Sequence, residues 1–168
     1  MWRCFICNLS AINGARVLIT GGAGMIGSTI AQMAVQSGAE VTILDAMLPT
    51  YGGNLFNLQG IHEAIKFVPG DIRDLELVKS QIPGMDYIFS LAGQVSYVDS
   101  NIDPLLDLDI NCKGHIQVLE ACRQARTKAR LILVLKAKSK SSRVLWLRKL
   151  ALRSRAANFF WDRRATSS

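Results

Sequence analysis

The stretch 17-VLITGGAGMIGSTIAQMAVQSGAEVTILD-45 decides the fold. It opens on Val17, Leu18 and Ile19, an apolar run with β-branched members, as expected of a strand buried on both faces of a parallel sheet. Gly21, Gly24 and Gly27 follow at the spacing T-G-x-x-G-x-x-G. In a strand-to-helix turn the three glycines serve different ends. One permits the tight turn, one lets the backbone approach a pyrophosphate, and one lets the helix pack close to the strand. A helix opening near Met25 would aim its unpaired N–H groups and the positive end of its dipole at that anion. Gly38 is placed to stop this helix, and Val41, Thr42, Ile43 and Leu44 read as the second strand. The strand ends in Asp45, about twenty residues beyond the glycines, where a carboxylate accepts hydrogen bonds from an adenosine ribose. Asp45 is followed by Ala46 with no Arg beside it, which favours NAD over NADP because a 2′-phosphate would meet a negative charge. The plain alternatives are a Gly-rich turn and an Asp that caps it.

Working outward, 168 residues fit one domain. No apolar run approaches the roughly 18 residues of a membrane span, and the start, M-W-R-C-F-I-C-N-L-S, carries no clear cleavage site. The expected location is cytoplasmic. Cysteines stand at 4, 7, 112 and 122. Cys4 and Cys7 form a single C-x-x-C without a second ligand pair, so no metal site is expected, and Cys112 and Cys122 read as small, reduced core residues. The net charge of +7 is unevenly spread. Residues 1–135 hold 10 Lys and Arg against 12 Asp and Glu, whereas residues 136–168 hold 10 against the single Asp162.

Three segments follow: an N-terminal extension (1–14), an incomplete Rossmann-like domain (15–135) and a basic tail (136–168). After Asp45 a Gly-, Pro- and Asn-rich stretch reads as a loop. Further strands are expected at Ile65 to Val68, Met85 to Ala92 and Leu131 to Leu135, with a short helix after Asp74 as N-cap, ended by Pro83 and Gly84. Asp103 and Pro104 are expected to start one long helix whose apolar stripe is Leu105, Leu108, Cys112, Ile116 and Leu119, running to about Cys122. Strands alternating with helices imply an α/β, doubly wound parallel sheet, here stopping after the fifth strand. Ligands bind such sheets at the carboxyl ends of the strands, where the glycine turn, Asp45, Asp71, Ala92 and Gly93 all fall.

These motifs together resemble the extended short-chain dehydrogenase/reductases, the NAD-dependent nucleotide-sugar epimerases and dehydratases. The resemblance rests on T-G-G-A-G-M-I-G at 20–27, Asp45, G-D-I-R-D at 70–74, L-A-G-Q at 91–94 and D-P-x-x-D-x-x-x-N-x-x-G at 103–114, and covers about 16–134. It implies that Gly21, Gly24, Met25, Ile26 and Gly27 hold the pyrophosphate of NAD and Asp45 the adenosine ribose. It implies further that Asp71 and Ile72 contact adenine, and that Leu91, Ala92 and Gly93 line the cofactor. Asn111 matches a helix Asn that supports the active site, or is simply a helix-face amide bonded to nearby backbone. His62 and His115 match no catalytic position. A nucleotide-sugar substrate is implied only for a full-length form, and a homodimer through the helices after the fourth and fifth strands, of which only the first is here.

The pattern breaks where catalysis would begin. The family follows its fifth strand with a Ser/Thr pair and a Tyr-x-x-x-Lys helix, whose Tyr is the general acid/base. Here Val134 leads into L-K-A-K-S-K-S-S-R, and the last tyrosine of the chain is Tyr97. Ser141 and Ser142 come about seven residues too late, in a Lys/Arg run. No catalytic residue is assigned, and turnover is expected to be impaired. The tail carries Trp146, Phe159, Phe160 and Trp161 among its ten basic residues but no nucleic-acid-binding motif. Two accounts of it stand: the frame-altered or alternatively terminated end of a longer product, or the contact surface of a non-enzymatic NAD-binding or interaction protein.

Overall fold

The computed structural model describes residues 12–48 and 51–133. The C-x-x-C at 4–7, Ser141, Ser142 and the basic tail lie outside them. Five parallel strands form one sheet: β1 (Arg16–Thr20), β2 (Glu40–Asp45), β3 (Ile65–Pro69), β4 (Tyr87–Ser90) and β5 (Arg130–Leu133). Their spatial order is β3-β2-β1-β4-β5, so the chain reverses its direction of travel across the sheet after β3. β1 is the hinge of this order, pairing Val17 with Val41 on one side and with Tyr87 on the other.

Side chains alternate across the pleat, and both faces of the central strands are covered. Val17, Ile19, Val41 and Ile43 face Ala31 and Ala34 of α1 (Met25–Gln36). Leu18, Leu44, Ile88 and Leu131 face Val78 of α2 (Leu75–Gln81), with Ile82 just after it, and Val118 and Ala121 of α5 (His115–Gln124). This two-sided burial explains why the strands read as unbroken apolar runs. The sequence extension reaches into the domain at its end: Ile12 packs on the α1-side core and the Gly14 N–H donates to the Gly38 carbonyl at 2.9 Å.

Asp74 caps α2 as expected, its carboxylate accepting from the Leu77 N–H at 3.1 Å. The region after β4 departs from the single long helix. It holds α3 (Tyr97–Ile102), capped by Ser96, then α4 (Pro104–Leu108), capped by Asp103, a π-helical turn over Asp109–Gly114, and α5. The π turn adds a residue to the helical repeat and shifts the phase of everything beyond it. The expected stripe is corrected on both sides of that turn. Leu105, Leu108 and Ile116 are exposed by 73%, 50% and 37%, whereas Ile110, His115, Val118 and Ala121 point inward. Of the expected stripe, Leu119 packs on the core, as does Cys122 at its end, where burial pushes the thiol up to about 12.

Ile88→Ala is expected to cost about 2–5 kcal/mol in denaturant unfolding, from lost burial and the cavity left. Leu105→Ala should stay within about 0.5 kcal/mol. Equal losses would restore the single-helix phase.

Candidate functional site

Above the carboxyl ends of β1, β2, β3 and β4 lies an open cleft. Gly21, Gly24, Asp45, Asp71, Ile72, Leu91, Ala92 and Gly93 all line it. These residues lie far apart in sequence, from Gly21 to Gly93, and the order of the sheet brings them together at its switch point.

The glycine turn forms the floor. Gly21 has φ +70°, and a Cβ there would stand 2.7 Å from the Ala92 backbone. Gly27 is buried and lies outside the cleft lining: a Cβ on it would sit 2.2 Å from the Gly21 carbonyl oxygen, so its role is the close approach of α1 to the turn. Gly24 differs, since a Cβ there meets nothing nearer than that same carbonyl, at 3.3 Å, and would occupy cleft space instead. As N-cap of α1, Gly24 provides no side-chain hydrogen bond, and the first turn holds no acid. The helix end is therefore left with donors and partial positive charge for an anion. The side chains of Met25 and Ile26 are 80% and 57% exposed and do not line the cleft, so any contact from them comes through their backbone.

Asp45 is 8% exposed, and its carboxylate is fixed by two backbone donors, Ala23 N–H and Met47 N–H, each at 2.9 Å. It thus caps its own turn and ties the glycine loop to β2. A carboxylate has about four acceptor positions, so two remain for a ligand. Asp71 is held in a different way. Arg73 donates to it from Nε at 2.9 Å, from Nη2 at 2.6 Å and from its backbone N–H at 2.9 Å. Burial alone would push the Asp71 carboxyl up, but the Arg73 hydrogen bonds and charge outweigh it and hold the group below its ordinary value.

The remaining wall is residues 91–93. The N–H groups of Leu91 and Ala92 donate to Thr20 Oγ1 at 3.1 and 3.3 Å. Asn111, inside the π turn, brackets the next residue: its Oδ1 accepts from Gln94 N–H and its Nδ2 donates to the Gln94 carbonyl, both at 2.9 Å. Asn111 is therefore bonded to neighbouring backbone. His62 is exposed on a surface turn, whereas His115 is buried beside Ser90. Motif reading missed Ala46, Leu48, Tyr51, Gly53 and Ile110, which also line the cleft. The first four sit in the irregular loop after β2, where no periodicity marks them.

A family model for the NAD dependent epimerase/dehydratase family matches residues 17–140. This chain belongs to that family. A dTDP-glucose 4,6-dehydratase of Mycobacterium tuberculosis is 39% identical over 112 residues, 65% of this chain and 33% of that protein. The epimerase Mth375 of Methanothermobacter thermautotrophicus is 34% identical, with TM-score 0.68 over 76% of this chain and 37% of that one. DesIV, a dTDP-glucose 4,6-dehydratase from Streptomyces venezuelae solved with NAD bound, is 30% identical with TM-score 0.63, over 69% of this chain and 38% of its own. The chain spans about a third of the length of these relatives. Among the described residues, no group of His, Cys, Asp and Glu is placed to hold a metal, and no helix is long and apolar enough to cross a membrane.

The depressed Asp71 value has a pH consequence. A carboxyl lowered by folding contributes stability that is present above its unfolded value and is lost as pH falls through the folded one. In acid titrations, the stability gap between the wild-type chain and Asp71→Asn should shrink as pH drops below about 4. A gap that is constant with pH would mean that the Arg73 pair contributes nothing.

Proposed function

We propose that this chain is the NAD-binding portion of a nucleotide-sugar epimerase/dehydratase-like oxidoreductase, with turnover impaired. The observation that carries the reading is the convergence of the glycine turn, Asp45, Asp71 and residues 91–93 on one cleft. The residues fit the cofactor. The uncapped end of α1 takes the pyrophosphate, and the free acceptor positions of Asp45 take the adenosine ribose. Asp71 and Ile72 take adenine, and Leu91, Ala92 and Gly93 support the half that reaches toward nicotinamide. NAD, when bound, supplies a hydride acceptor for a sugar carbon. The general acid/base for that transfer is missing: the last tyrosine, Tyr97, precedes the fifth strand, and no Tyr-x-x-x-Lys follows it. A nucleotide-sugar substrate belongs to the longer architecture of the relatives.

The segregation of charge favours a second reading, a non-enzymatic NAD-binding or interaction protein on the same scaffold whose contact surface is the basic tail at 136–168. One experiment tests the cofactor site: thermal unfolding with and without NAD, beside Gly24→Ala. NAD at about a hundred times its dissociation constant should add about 2.7 kcal/mol, a rise of several degrees in Tm. NADP should act more weakly because of Asp45. Gly24→Ala should lower the ligand-free Tm only modestly, by the cost of Ala at an N-cap and the 3.3 Å approach to the Gly21 carbonyl, yet lose most of the NAD response, since its methyl enters the cleft. A cooperative melt indifferent to NAD refutes the first reading and leaves only an interaction protein that does not bind NAD.

We also infer a homodimer. Val98, Ile102, Leu105, Leu108 and Ile116 expose apolar side chains from α3, α4 and the start of α5, the kind of surface a partner copy would cover. Light scattering should give twice the chain mass, and Leu105→Glu should halve it. A wild-type monomer at high concentration contradicts the assignment.

A further inference from the structure

We propose that the buried Ser90–His115 pair is a positioning device for the cleft wall at 91–93, setting where Ala92 stands relative to the glycine turn. The proposal rests on reading the cleft as the dinucleotide site. Ser90 is the last residue of β4 and has no exposure; His115 opens α5 and is 3% exposed. Ser90 Oγ lies 2.8 Å from His115 Nδ1, and the backbone of Ala92 is close enough to the same ring to act on its protonation. A neutral imidazole has one donor and one acceptor nitrogen, so it can serve the Ala92 carbonyl and the Ser90 hydroxyl together. Burial pushes the His115 pKa down, which keeps the ring in that neutral form, while the Ala92 contact opposes this only in part.

The Ser90 bond and the approach to Ala92 link three elements: the end of β4, the wall that follows it and α5. From the opposite side Thr20 Oγ1 accepts the Leu91 and Ala92 N–H groups, so Ala92 is gripped between β1 and α5. The tolerance at this point is small, because a Cβ on Gly21 would already stand 2.7 Å from Ala92 Cα and N. Movement of Ala92 toward β1 closes the floor of the cleft, and movement away widens it. His115 does not line the cleft, and it acts through the Ala92 backbone. An apolar residue at 115 could fill the same volume but could not fix a carbonyl group in place.

The test compares Ser90→Ala, His115→Leu and His115→Gln with Val78→Ala, a core truncation on a different helix. Amide hydrogen exchange at Ala92 and Gly93 is measured without ligand, and NAD affinity by titration. Ser90→Ala and His115→Leu should speed exchange at these two amides roughly five- to tenfold beyond Val78→Ala at equal loss of Tm, the effect of about one net hydrogen bond. NAD affinity should fall by a similar factor. His115→Gln, which keeps a donor and an acceptor, should recover part of both. If Ser90→Ala alters exchange and affinity no more than Val78→Ala does, the pair is merely core and the proposal is overturned. If the wild type itself does not bind NAD, the reading of the cleft fails. Exchange then decides alone: a loosened wall supports the positioning role, and an unchanged one overturns it.

Discussion

The structure depends on how closely α1 approaches the turn after β1. A Cβ at position 27 would be 2.2 Å from the Gly21 carbonyl oxygen and 2.7 Å from Gly22 Cα, so any side chain there forces the helix off the sheet. The contact is steric and admits only glycine. It puts the first turn of α1 directly over the carboxyl end of β1, and through Gly21 it also sets the spacing to Ala92 beyond β4. Because β1 is central in the order β3-β2-β1-β4-β5, these contacts fix the cleft on both sides of the switch point.

Around that frame the charged groups are placed with their partners already in hand. Asp45 ties the glycine loop to its own turn by two backbone donors, and Asp71 is clamped by Arg73. Leaving either carboxylate buried without such partners would be costly. With them, each stays oriented before any ligand arrives, which reduces the ordering that binding would otherwise require. The uncapped N-terminus of α1, which follows β1 next to Asp45 at the end of β2, supplies a positive field for an anion.

Much of this was legible in the sequence because the signals are local. Apolar runs give strands, T-G-x-x-G-x-x-G gives the turn, and Asp74 and Asp103 cap the helices expected after them. What was not legible depends on geometry that no short window records. The π turn at Asp109–Gly114 shifts the helical phase for Ile116, while Leu105 and Leu108 sit on the separate short helix α4; all three read as core and lie on the surface. Helix α3 was missed, although Ser96 and Asp99 stand at capping-box spacing and Ser96 Oγ accepts the Asp99 N–H. Tyr51 and Gly53 enter the cleft only because the loop after β2 folds back over Asp45. His115 reads as a helix-face residue until β4 is placed against α5.

The most direct test of the central claim, that the cleft at the switch point is the adenosine half of an NAD site, is a titration of the isotope-labelled chain with NAD and with AMP, followed residue by residue in solution. The account predicts saturable amide shifts at Gly21, Gly24, Asp71 and Ile72 with both ligands, and additional shifts at Leu91, Ala92 and Gly93 with NAD alone. Non-saturating shifts, or shifts centred on α3 and α4 with the glycine turn unmoved, would contradict it.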